Sequence, residues 1–215
     1  MRWKWTVLAA ILAIAGILLI FSPFIKESII GYMSTHFTEQ KVTAAQLHSN
    51  NSRKATFDFE TIRPPSVMDT FRGSAQQNPK AMIGLISIDS VGIHLPILKG
   101  TTNANLLVGA TTMRPDQKMG QGNYPLAGHH MRRPTLLFSP LLKIKIGARI
   151  VITDLKKDYV YEVTSRKTVD ASNTDVIQQT KKKQITLVTC DREILTDGRL
   201  IVQGKLIKVT DHHAN

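Results

Sequence analysis

The chain has 215 residues, with 28 Lys plus Arg against 16 Asp plus Glu and a formal net charge of +12. That length holds one domain with a real core plus a membrane anchor and a linker, and the charge admits nucleic acid, anionic lipid or an anionic polymer as partner. Sparse aromatics, scattered basic residues and the lack of a zinc-finger, basic-zipper or RNP-type signature argue against a sequence-specific nucleic-acid reader, so the excess charge reads as a basic solvated surface.

The chain opens "MRWKW", followed by twenty uncharged residues, 6–25, before Lys26. As a helix that run spans about 30 Å, the thickness of a bilayer core. Trp3 and Trp5 stand where interfacial aromatics belong. No small-x-small cleavage site follows, and the run is long for a signal peptide, so it reads as an uncleaved anchor. Arg2 and Lys4 flank its start, whereas Lys26 is offset by Glu27. The positive-inside rule therefore expects residues 1–5 in the cytoplasm, a single transmembrane pass over 6–25, and the rest of the chain outside the cell membrane.

Residues 26–80 read as an extracellular, partly helical stalk. A loose helical pattern covers 26–48, "RPPS" at 63–66 is a breaker, and "GSAQQNPK" at 73–80 reads as a loop. From Met82 the texture changes to short β-branched segments at 82–88, 93–98, 148–154, 159–169, 184–190 and 199–209. This spacing predicts one mainly β domain over 81–210, a closed antiparallel structure with short helices near 103–107 and 134–141. Residues 211–215, with His212 and His213, read as a solvated tail.

The only cysteine, Cys190, ends the segment "QITLVTC" and has no partner within the chain for a disulfide. Strand parity puts Ile185, Leu187 and Thr189 on one face and Thr186, Val188 and Cys190 on the other. In the next strand Leu200, Val202 and Leu206 form an apolar set, with Arg199, Ile201 and Gln203 opposite. If the apolar sets face the core, a hairpin through 191–198 brings Cys190 and Arg199 together on the outer side, with Val188 and Ile201 as an apolar lining. Upstream, "NYPLAGHHM" offers His129 and His130. A cysteine nucleophile needs an imidazole to share its proton, whereas either histidine alone is equally a surface loop residue. A zinc site of His129, His130 and Cys190 is a poor alternative, because adjacent histidines chelate one ion badly and no fourth ligand is spaced nearby.

"TLVTC" at 186–190, Arg199 on the following strand and "LAGH" at 126–129 together resemble the sortase family of Gram-positive bacteria, and the anchor and strand-rich body resemble its class A, housekeeping members. The resemblance covers the anchor and residues 82–209. It implies an eight-stranded β-barrel and a cysteine transpeptidase. Such an enzyme cleaves Leu-Pro-x-Thr-Gly sorting signals of surface proteins between Thr and Gly, then joins the threonine carbonyl to a lipid-linked amine of the peptidoglycan precursor. By that resemblance Cys190 is the nucleophile, His129 the general acid/base and Arg199 the third active-site residue. His129 is preferred to His130 because it directly follows Ala-Gly. Arg199 is preferred to Arg192 because it opens the next strand. Ala127, Val188 and Ile201 are expected to line the substrate groove, and Thr189 to stand beside the developing oxyanion.

Loop 170–183 resembles a variable recognition loop. Residues 105–128 hold one carboxylate, Asp116, which departs from the pattern of calcium-binding relatives, so no metal and no other cofactor is expected. Two other readings use the same residues: a secreted cysteine peptidase with water as acceptor, and a non-enzymatic basic cell-surface binding module with an inert thiol.

Overall fold

The computed structural model describes residues 2–59 and 62–213, so Met1 of the expected cytoplasmic flank and residues 214–215 of the expected tail lie outside the described part. Helix α1 (Arg2–Thr38) begins as the apolar run and continues without a break into polar sequence. It is long and apolar enough to cross a membrane, and none of the other described residues covers its most apolar stretch. Its last three turns are different. Glu27, Ile30, Met33, Ser34 and Phe37 are buried, a 3.6-residue stripe facing the body of the protein. The segment expected as a stalk is thus packed over 27–37. The sparse apolar residues of that helical pattern suffice because they recur on one face.

Helix α2 (Ala44–Asn51) and helix α3 (Val67–Ala75) each start with a capping box, from Thr43 to Gln46 and from Ser66 to Asp69. Helix α3 takes the first part of the expected 73–80 loop, because Ser66 after "RPP" supplies a helix start.

The rest is a closed barrel. Its strands are β1 (Met82–Ile88), β2 (Ile93–Leu98), β3 (Ala110–Thr112), β4 (Asn123–Ala127), β5 (Arg149–Thr153), β6 (Lys157–Asp170), β7 (Gln184–Cys190) and β8 (Gly198–Asp211). They close in the order β1-β2-β3-β4-β7-β8-β6-β5. The expected closed, eight-stranded architecture is present, with short helices that include α4 (Asn103–Leu106). Six of the eight strands stand where sequence texture put them. The expectation of wholly antiparallel pairing is corrected: β2 pairs with β3, and β4 with β7, in parallel. A parallel pair needs a long crossover. Residues 99–109 with α4 supply the first, and the excursion through β5 and β6 supplies the second.

Inward residues of alternate positions fill the barrel, among them Ile86, Leu126, Ile152, Tyr161, Leu187 and Val202. Burying each such side chain stabilises the fold by about 1.5–3 kcal/mol. His212 is not in a free tail. Its N–H donates to the Lys156 carbonyl at 3.0 Å, and its Nδ1 lies 2.8 Å from Asp158 Oδ1.

The buried Tyr161 hydroxyl accepts the backbone N–H of Gly120 at 3.0 Å, which fixes the 114–122 connection on the barrel wall just before β4. Tyr161→Phe leaves that N–H buried without an acceptor and is expected to destabilise the protein by about 1–3 kcal/mol. Urea denaturation of the full chain in detergent measures it, and an unchanged midpoint would refute the role given to this bond.

Candidate active site

Three adjacent strands carry the site. Along the parallel β4/β7 pair, Asn123 stands beside Gln184 and Ala127 beside Val188. The Gly128 N–H then donates to the Val188 carbonyl at 3.0 Å, so the pairing persists beyond the strand end. The same register carried two residues past Ala127 sets His129 level with Cys190. On the other side, antiparallel β8 places Ile201 opposite Val188 and Arg199 opposite Cys190. Neighbouring strands lie about 4.8 Å apart, and residues directly opposite share a face. Two cross-strand rows result, Ala127–Val188–Ile201 and, one step along, His129–Cys190–Arg199.

Both rows open into a groove of about 410 Å³, which Thr189 also lines. The end of β6, with Val169, and the β6–β7 connection, with Val176 and Ile177, form one wall, and the β7–β8 loop contributes Ile194 and Leu195. The third wall is one that sequence reasoning missed. Phe59, Ile62 and Pro64, from the stretch between α2 and α3, reach the groove. Their only signal was two aromatics, Phe57 and Phe59, and an isoleucine in a largely polar linker. Strand β4 was missed as well: Pro125 interrupts its pattern, and the segment drew notice for its histidines.

Each reactive side chain has a definite environment. His129 is 7% exposed, and its Nε2 has no hydrogen-bond partner among the described residues. Thr189 is buried more deeply still, with Oγ1 unpartnered among the described residues. Two orphaned polar atoms in one groove are a departure from the usual satisfaction of buried groups. The His130 Nδ1 lies 3.0 Å from the Cys190 carbonyl. A carbonyl only accepts, so Nδ1 carries the proton there. Arg199 Nη1 donates to the carbonyls of Thr196 at 2.7 Å and Gly198 at 3.0 Å. Arg192, two residues after the cysteine, is largely exposed, with Nε 3.8 Å from Asp191.

Burial governs the protonation of both reactive groups. It pushes the His129 imidazole down to about 4, with Lys26 a second and lesser cause. It pushes the Cys190 thiol up; Arg199 opposes that shift and Asp191 adds to it. At neutral pH the resting site therefore holds a neutral thiol and a neutral imidazole. Asp116, the one carboxylate before the histidine segment, is engaged by Arg114 through bonds of 3.0 and 2.5 Å, which hold its carboxyl below the usual range. Among the described residues no three His, Cys, Asp or Glu side chains converge where a metal ion could be held.

Comparison with known proteins gives a consistent picture. The family model described as Sortase domain matches residues 86–207. The chain is 49% identical over 201 residues to "Sortase A" of Listeria monocytogenes, covering 94% of this chain and 90% of that protein. It is 36% identical over 213 residues to "Sortase A" of Streptococcus agalactiae, covering 96% and 85%. The solved structure of Listeria monocytogenes sortase A superposes with a TM-score of 0.61 at 50% identity, covering 62% of this chain and 92% of that one.

Because the thiol is raised above its ordinary value, its reactive anion is a minor species at neutral pH. Alkylation of Cys190 by iodoacetamide in the full chain, followed by mass spectrometry, should accelerate about tenfold per pH unit between about pH 6 and 8.5. A plateau below about pH 7 would mean that the cysteine is already a thiolate.

Gly128 is required by contact. A Cβ there would stand 2.6 Å from the buried Phe138 ring, whose backbone N–H holds the His129 carbonyl at 3.1 Å. Gly128→Ala should displace His129 and lower turnover by about 100-fold, with far-ultraviolet circular dichroism unchanged, since a shift near 1 Å costs that much. Near-wild-type turnover in this variant would show that the groove tolerates movement of the histidine.

Proposed function

The chain belongs to the sortase family, and from that premise we propose a membrane-anchored transpeptidase that cleaves Leu-Pro-x-Thr-Gly sorting signals between Thr and Gly and transfers the acyl group to a peptidoglycan-precursor amine. The observation that carries this reading is the cross-strand row His129–Cys190–Arg199 over the apolar floor of Ala127, Val188 and Ile201.

The peptide lies in the groove with the leucine and proline against that floor. The Cys190 thiol gives up its proton to the His129 imidazole, and sulfur attacks the threonine carbonyl. The neutral resting pair makes the reactive thiolate–imidazolium form a small fraction, and bound substrate displaces water and draws the two groups into use. As the oxyanion forms, Arg199 leaves its loop carbonyls and, with the Thr189 hydroxyl, donates to it. The His129 imidazolium protonates the departing glycine amine, and the C–N bond breaks to leave a thioester. The incoming amine then loses a proton to His129 as it attacks, and the thiol is regenerated. The unpartnered Nε2 of His129 suits this exchange. His130, held on the Cys190 carbonyl, positions the strand end.

Anchor helix α1, with its amino terminus in the cytoplasm, holds the groove outside the membrane where exported substrates and a lipid-linked amine meet. No cofactor enters these steps.

Incubating the full chain in detergent with a Leu-Pro-x-Thr-Gly peptide and a panel of amines should yield the Thr–amine conjugate by mass spectrometry. Hydrolysis product alone in the presence of amine would replace transfer with a peptidase reading. Cys190→Ala should abolish turnover. His129→Ala should lower it by about 10³-fold and His130→Ala by far less, a ranking whose reversal would exchange the two histidines. Arg199→Lys should be severely impaired, because lysine keeps the charge and loses the planar fork, while Arg192→Ala should be mild. Equal damage at the two arginines would assign the role to both.

A further inference from the structure

The loop that carries His129 also carries two arginines that the chemistry does not use. The Arg132 guanidinium lies 4.7 Å from the centre of the Phe24 ring. Phe24 is exposed and belongs to the last turn of the apolar run, two residues before Lys26. Arg133 follows, and its backbone N–H donates to Glu27 Oε1 at 3.2 Å. Together Phe24, Glu27, Ser28, Arg132 and Arg133 line a cleft of about 390 Å³ between α1 and the barrel. The Glu27 side chain is buried and committed to that backbone bond. Among the described residues neither guanidinium has an ion-pair or hydrogen-bond partner of its own.

The depth of this cleft follows from the helix. If residues 6–25 cross the bilayer with the barrel outside, a reading this inference rests on, Phe24 sits at the outer boundary of the hydrocarbon. A guanidinium stacked on its ring is then at the level of the headgroups. Arginine presents a planar fork that matches phosphate oxygens, and basic side chains at a lipid surface are attracted to anionic headgroups. The cleft has one apolar wall, Phe24, continuous with the lipid-facing side of the helix, and open cationic groups above it. That combination suits a phosphate attached to an acyl chain better than a free anion.

We propose that Arg132 and Arg133 bind the phosphate of an outer-leaflet lipid headgroup and so clamp the His129 loop and the groove at a fixed height and orientation over the membrane. The clamp and the histidine share one short segment, 129–133, tied to α1 through Glu27. The groove is thereby presented to an acceptor amine that is itself confined to the bilayer surface.

Hydrogen exchange of the 129–137 segment in the full chain tests this. Exchange should be slower in vesicles of phosphatidylcholine doped with phosphatidylglycerol than in detergent, by roughly fivefold for each arginine engaged. The double variant Arg132→Gln, Arg133→Gln should lose that protection while keeping wild-type peptide turnover with a water-soluble amine in detergent. Equal exchange in vesicles and detergent, or protection that survives the double substitution, overturns the proposal. Inorganic phosphate giving the same protection in detergent overturns the assignment to lipid in favour of a soluble anion. Vesicle flotation separates this from the anchor reading: a wild-type chain that does not float with vesicles refutes the anchor, whereas one that floats without protection refutes only the clamp.

Discussion

The arrangement of the candidate site depends on the register between β4 and β7. A strand slip of one residue would exchange the two faces and leave His129 level with Thr189. Asn123 prevents it. Its buried amide donates to the carbonyls of Val176 and Gln178, each at 3.0 Å, and its carbonyl accepts the Thr186 hydroxyl at 2.7 Å. One side chain thus locks the first residue of β4 to the neighbouring strand and to the loop that walls the groove. A buried side chain satisfied on every arm accepts no alternative register without leaving polar groups unpaired. The antiparallel β7/β8 pair then adds Arg199 from the other side.

The groove's walls are of a different kind from its floor. Ala127, Val188 and Ile201 are held by strand pairing, and Ile201 and Val188 are buried although they point away from the barrel core. Loops bury them. Ile194 and Leu195, by contrast, are exposed on the β7–β8 loop, and Arg199 is tied to carbonyls of that same loop. The floor is thus held by strand pairing, and Arg199 by loop carbonyls at the end of its strand. The burial that keeps thiol and imidazole neutral at rest comes from these walls, so occupancy of the groove and the charge state of the site are linked.

Helix α1 joins two environments with one continuous element. Its first part is apolar on every side, and its last turns keep a single buried stripe. Glu27 marks the change: it is the first buried charged group on the helix, and it holds the backbone of the histidine loop. The apolar run and the histidine loop are therefore joined by a helix and a hydrogen bond and not by a flexible linker.

Much of this was legible in the residues. The apolar run, six of the eight strands and the alternation around Cys190 and Arg199 follow from period and parity, which are local properties. The motif carried the family, and with it the barrel. Two things were not local. The short β3 and the proline-bearing β4 have too little pattern to declare themselves, and the partner of β4 on its other side, β7, lies far along the chain. The stretch between α2 and α3 that walls the groove, and the packing of 27–37 onto the barrel, depend on which surfaces the closed sheet leaves open. The sequence by itself determined which residues could react and which face of each strand they occupy, because side-chain direction alternates within one strand. Only the tertiary structure decided that His129, Cys190 and Arg199 come together in one groove, because register between distant strands and burial by loops are properties of the closed barrel.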